Sequence, residues 1–202
     1  MSFEILLLTL PIWLSALCLH EYAHAWTAVR LGDPTPRWQG RLTLNPRVHL
    51  SLIGTLMILL AGIGWANPVQ VNPRNLSKPK TDMAWIALAG PFTNVVLAAL
   101  FAALYHAVAP HLPPTRVGFY GVLFLRYGVY INALLFVFNM VPIPPLDGSK
   151  LLDLIAPREW YRALLFLEQY GVLILFFLIV ILGFGRTVGT AAGAIMALLG
   201  VR

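Results

Sequence analysis

Apolar residues in this chain fall into long blocks divided by short polar stretches. The first block, residues 3–30, closes at Arg30 and the Gly32-Asp33-Pro34 break. Residues 31–50 are polar, carry Arg37, Arg41 and Arg47, and include an alternating, β-prone run at 41–44. A shorter apolar block, 50–66, is interrupted by Gly54, Gly62 and Gly64. After it, Asn67-Pro68-Val69-Gln70-Val71-Asn72-Pro73 reads as a short strand between turns. Blocks at 83–109, 117–141 and 163–184 follow, then a Gly- and Ala-rich tail at 187–201. A helix that crosses a bilayer needs about 20 mainly apolar residues. The pattern predicts an all-α polytopic membrane protein with four to six transmembrane helices, forming a single membrane-embedded domain over 1–202.

Composition agrees. Only 11% of the 202 residues are charged and 59% are hydrophobic, against about 25% charged in an average soluble domain. The net charge of +6 is read as an orientation signal, because basic residues gather at the cytoplasmic ends of spans; no nucleic-acid partner is expected. Basic clusters at 30–47, 74–80 and 150–162 predict three inside loops, with the N-terminus and the 110–116 break outside. A full crossing by 50–66 would put the first two clusters on opposite faces. Residues 50–71 are therefore expected to be re-entrant: an apolar dip that returns as a strand on the cytoplasmic side, with a short true span as the ordinary alternative. The one cysteine, Cys18, excludes an internal disulfide. No cleavable signal peptide is read at the N-terminus, and the tryptophans read mostly as interfacial anchors.

The chemistry begins at His20-Glu21-Tyr22-Ala23-His24, which interrupts the first apolar block. On a helix, histidines at i and i+4 share a face and can reach one metal ion. Glu21, about 100° round the helix, can lean over the open side of that ion and take a proton from water. A catalytic zinc typically takes three protein ligands. The other histidines are His49, His106 and His111, and the inside acids include Asp147, Asp153 and Glu159. Asp147 stands out because Pro142, Pro144 and Pro145 stop the preceding helix and Gly148 permits a tight turn. A carboxylate at that depth needs a partner or a metal. The bland reading of Asp147 is a helix N-cap before Ser149 and Lys150.

These residues together resemble the site-2 protease family of intramembrane zinc metalloproteases. The HEYAH motif, Ala89-Gly90-Pro91-Phe92-Thr93-Asn94 and Asn139-x-x-Pro142-x-Pro144-x-Leu146-Asp147-Gly148 match three family elements, and the likeness runs from about residue 10 to 155. The resemblance implies a catalytic core over about 3–156, with C-terminal helices over about 160–202. It implies one Zn²⁺ per chain on His20, His24 and Asp147, Glu21 as catalytic acid/base, and a re-entrant β element near 64–71. It also implies cleavage of single-pass membrane proteins within or beside the bilayer of the cell membrane. Neither the PDZ nor the CBS domain of some members is read in this sequence.

Substrate contacts are expected from Asn94 and Asn139, whose amides can donate to a developing oxyanion. Val69 is expected to contribute the edge of the 67–71 strand, along which an extended peptide can add. The competing function is a metal-ion transporter or a non-proteolytic metal-binding membrane protein, for which a non-ligand carboxylate at Glu21 has no use. The small residues at 189–197 suit close helix packing, with a homo-oligomer as one outcome.

Overall fold

The computed structural model describes residues 3–52, 54, 56 and 66–201. Its main helices are α1 (Phe3–Arg30), α4 (Pro79–Val108), α5 (Arg116–Asn139) and α7 (Tyr161–Val180). All four are long and apolar enough to cross a bilayer. Shorter helices are α2 (Thr35–Trp38), α3 (Pro46–His49), α6 (Gly148–Ile155) and α8 (Phe184–Leu198). The chain is a membrane protein, with four candidate spans among the described residues. At about 1.5 Å per residue, α8 reaches only about 22 Å, short of the roughly 30 Å hydrocarbon core.

The bundle has two distinguishable ends. At one, Thr27 and Arg30 of α1 and Leu31 just after it meet Trp85 of α4 and Met140 after α5 around an apolar groove. At the other, Glu4 of α1 accepts a hydrogen bond from the Tyr120 hydroxyl of α5 and lies 3.9 Å from Arg116. The end of α1, the start of α4 and the end of α5 therefore share one end of the bundle. Arg30 and the segment just before α4 therefore share this end, where Leu76 packs beside Ala28, whereas 41–50 turns back beside the middle of α1, with Leu44 O at Cys18.

The connection between α1 and α4 is where expectation and structure part. Among the described residues there is no strand. The β-prone run at 41–44 bends at Leu42 and Thr43, the predicted strand over 67–71 is irregular chain without a ladder, and the only pairing among the described residues of this region is an isolated antiparallel bridge between Leu50 and Ala66. The reason is that side chains take the place of a neighbouring strand. Arg41 donates to Val48 O (2.8 Å) and Asn67 O (2.9 Å). His49 Nε2 bonds Thr43 O at 2.7 Å, and Cys18 Sγ reaches Leu44 O at 3.4 Å. Pro68 and Pro73 have no N–H to offer a ladder. Most of the predicted apolar dip, including Gly62, Gly64 and Trp65, lies outside the described residues.

The path of this connection matters more than its label. Leu50 and Ala66 pack against Ile12, Trp13, Ala16 and Leu17, halfway along α1. Val71 and Leu76 pack beside Ala28 and Ile86, near the end of α1. Residues 66–76 thus run beside α1 from its middle to its C-terminal end, passing Glu21. Trp13, buried in this core, is no interfacial anchor; Trp26, Trp38, Trp85 and Trp160 are exposed.

Part of α8 packs within the chain, while a Cβ at Gly193 would meet nothing within 4 Å. Val188 and Ala192 are buried, Gly189 admits the Tyr130 hydroxyl, and Met196, Leu199 and Val201 join Ala102 and Val129 in a cluster.

Candidate metal centre

His20 and His24 lie one turn apart on α1, and both rings are locked from behind. His24 Nδ1 is 2.7 Å from Ile86 O, a group that only accepts, so Nδ1 carries the proton. His20 Nδ1 is 2.7 Å from Asn94 Oδ1 and donates to it. Each Nε2 is then left with a lone pair. The two Nε2 atoms face each other at 3.0 Å.

Helix α4 makes the room for them. A Cβ at Gly90 would stand 2.6 Å from His20 Nε2 and closer still to His24 Nε2. Only glycine lets the α4 backbone come this near the rings.

Asp147 completes the group from 123 residues beyond His24 in the sequence. Gly148 makes this possible: its Cβ position is filled by the backbone of Met140 and Val141, with Val141 O at 2.7 Å. The chain therefore doubles back tightly after α5. Asp147 occupies the N-cap position of α6, but its side chain caps nothing. It turns instead to the imidazoles, with Oδ2 3.1 Å from His20 Nε2 and 3.4 Å from His24 Nε2.

The residues fit a metal ion. His20, His24 and Asp147 each offer one ligand atom, and these three atoms lie within 4.8 Å of one another. Two are imidazole lone pairs. The third, Asp147 Oδ2, is buried with no hydrogen-bond partner. Three electron-pair donors meeting with no proton between them repel unless a cation sits among them. Their separations of 3.0–3.4 Å match the roughly 3.3 Å edge of a tetrahedron with ligands at about 2.0–2.1 Å, the zinc distance.

Glu21 is buried but is not one of the three converging ligands. Its Oε2 accepts a hydrogen bond from Val69 N–H at 3.1 Å. Glu21, Val69, Asn139 and Asp147 all line one cavity of about 240 Å³. Asn139 also donates to its own helix, at Leu135 O (3.0 Å). Asn94 is different. It is fully buried behind His20, and its Nδ2 donates to Asn132 Oδ1 at 3.1 Å.

Sequence reasoning missed the groups that aim the ligands: Gly90, the Ile86 carbonyl, Asn132 and Asp33. Asp33 is fully buried. Its Oδ1 accepts from Thr35 N–H, the Thr35 hydroxyl and Asn75 Nδ2, and its Oδ2 accepts from Asn72 N–H at 2.7 Å. It thereby ties the chain beyond Val69 to the end of α1. A buried Asp between two helix breakers was the available signal.

Fold and site define a membrane-embedded metalloprotein with a helix-borne HExxH centre. No family model and no solved structure matches the chain. Two curated relatives are similar over most of its length. "Putative zinc metalloprotease YwhC" of Bacillus subtilis is 38% identical over 166 residues, covering 80% of this chain and 75% of the relative. "Putative zinc metalloprotease Rip2" of Mycolicibacterium smegmatis is 37% identical over 182 residues, covering 87% and 68%. The chain belongs to this family of zinc metalloproteases, the site-2 protease family. It is a zinc metalloprotease of the membrane, and its His20-His24-Asp147 cluster is suited to one metal ion.

Proposed function

We propose that the protein is an intramembrane zinc endopeptidase that hydrolyses peptide bonds of single-pass membrane proteins within or beside the bilayer. The observation that carries this reading is the position of Glu21. It is a non-ligand carboxylate at the metal cluster, in a cavity shared with an extended backbone segment, part-way along an apolar helix.

A bound zinc supplies Lewis acidity toward a peptide carbonyl and makes water more acidic. Glu21 takes the proton of the attacking water on its carboxylate and returns it to the departing amide nitrogen. Val69 N–H orients that carboxylate. Asn67 N–H is held by His49 O at 2.6 Å and Pro68 has none, which leaves Val69 as the next donor along the segment. An extended peptide lying along 67–71 takes the Val69 N–H on its own carbonyl and releases Glu21 for proton transfer. Asn139, on the cavity wall, donates to the oxygen on which charge develops. Asn94 serves the substrate indirectly, through His20. The basic end of the bundle faces the cytoplasm, so the site lies toward the cytoplasmic side with the N-terminus outside.

The test is comparative membrane proteomics of cells carrying wild type or Glu21→Gln. Intact single-pass proteins should accumulate with the variant, and the same proteins should be cut by the zinc-loaded wild type in proteoliposomes. Equal profiles from two zinc-replete proteins would remove the reading.

A further inference from the structure

Asn132 lies outside all three motifs, on the face of α5 turned toward α4, and is fully buried. We propose that it is a positioning residue: it fixes the orientation of the Asn94 amide and thereby the tautomer of His20, keeping Nε2 free to bind metal.

The argument starts at the far end of a hydrogen-bond chain. The Gly128 carbonyl can only accept. The Asn132 atom 2.8 Å from it must therefore be the amide nitrogen. The other end of the same amide, Oδ1, then faces Asn94, and the Asn94 atom 3.1 Å away must be a donor, Nδ2. Asn94 Oδ1 is left for His20, so His20 Nδ1 must donate across 2.7 Å. One backbone carbonyl on α5 thus sets the direction of every bond up to the imidazole on α1. Nothing in this ordering depends on how the amides were assigned, because each choice follows from the previous one.

Without the Asn132 acceptor, the Asn94 amide loses its reason to point one way. Rotated by 180°, it would offer N–H to His20 Nδ1. The imidazole would then carry its proton on Nε2, the nitrogen that faces His24 and Asp147. That tautomer cannot ligate from this side. A purely structural interhelical bond between Asn94 and Asn132 would affect stability and leave the imidazole tautomer alone. Groups that orient a metal-binding histidine typically change metal affinity by 10–100-fold when removed.

The experiment measures zinc affinity of the full chain in detergent micelles, by competition with a chromophoric chelator, and so does not depend on the protease reading. Asn132→Leu should weaken zinc binding about 10–100-fold. Asn132→Asp, whose protonated carboxyl in this buried position donates to Gly128 O and keeps its carbonyl as an acceptor toward Asn94, should retain wild-type affinity. The double variant Asn94→Asp/Asn132→Leu should recover it, because a carboxylate at 94 accepts from His20 either way round. Nitrogen-15 NMR of labelled histidine in metal-free protein should show Nδ1-protonated His20 in wild type and Nε2-protonated His20 in Asn132→Leu. The proposal is overturned if Asn132→Leu binds zinc as tightly as wild type, or if the double variant stays as weak as the single one. If Asn132→Leu does not fold, Asn132→Ala, which removes the acceptor without adding bulk, takes its place: a 10–100-fold loss of zinc affinity supports the proposal and undiminished affinity overturns it.

Discussion

The α carbon of Gly90 sits against the Nε2 atoms of both His20 and His24, so close that no side chain fits between α4 and the two rings. The rings cannot simply swing aside, because each is tethered through Nδ1, to Asn94 and to Ile86. Gly90→Ala must break one of those tethers or push α4 away. The expected outcome is a folded chain whose zinc affinity falls at least about 10-fold, read by metal content after dialysis against a mild chelator.

Glu21→Gln keeps the size of the side chain and removes its basicity. Cleavage should fall by about 10²–10⁴, the usual contribution of a positioned acid/base. Zinc content should remain at one per chain, since Glu21 is not among the converging ligands. Single-turnover rates in proteoliposomes, paired with metal analysis, separate the two effects. Loss of zinc in this variant would show that Glu21 is part of the metal shell.

Val69→Pro deletes the N–H that holds Glu21 Oε2 and leaves His20, His24 and Asp147 untouched. Cleavage should drop while zinc is retained. Val69→Ala, which keeps the N–H, should stay near wild type. An active Val69→Pro protein would exclude the 67–71 segment from catalysis.

Asp33 gives the fold a pH dependence of defined sign. Burial alone would push its carboxyl up, but hydrogen bonds from Thr35, Asn75 and Asn72 outweigh that and hold it below the usual carboxylate value. The folded state therefore favours the ionised form. Its stabilising contribution is complete above the unfolded pKa, about 3.9, and is lost as pH falls through the lower folded value. Above about pH 5 the effect is flat. Thermal unfolding of wild type and Asp33→Asn should give the larger Tm difference at neutral pH and converging values below about pH 4. A constant difference across that range would mean that Asp33 acts only by packing.

Orientation is open to direct labelling, because Cys18 is the one native cysteine and is buried. In a Cys18→Ala background, Gln39→Cys and His111→Cys place thiols at opposite ends of the bundle, both on exposed positions. A membrane-impermeant thiol reagent added to intact cells should label His111→Cys at once and Gln39→Cys only after permeabilisation. The reverse pattern would put the metal centre toward the outside.

Much of this site was legible before any coordinates. His20, Glu21 and His24 announce themselves because helical spacing alone puts two imidazoles on one face. Asp147 could be picked out because three prolines and a glycine create an unusual helix end around it and two histidines need a third partner; the bland alternative, an N-cap, fell when the side chain proved to cap nothing. Gly90, Ile86 and Asn132 could not be read in the same way. Their importance lies in which face of α4 or α5 meets α1, and apolar periodicity inside a membrane gives no such direction, since every face of the helix is greasy. The 67–71 strand failed for a related reason. Alternation marks an extended chain, but a strand also needs a partner, and here Arg41, Glu21 and Asp33 supply the hydrogen bonds a partner would have made.

The sequence by itself determined the membrane class of the chain, its long apolar helices and the two-histidine grip, because hydropathy and helical spacing are local properties of the chain. Tertiary structure alone decided that Asp147 turns to the histidines, that Gly90 opens the space for them, and that Asn94 stands behind His20 and the Ile86 carbonyl behind His24. Those depend on contacts between helices scores of residues apart, and a hydrogen bond has a donor and an acceptor only once both ends have been brought within reach.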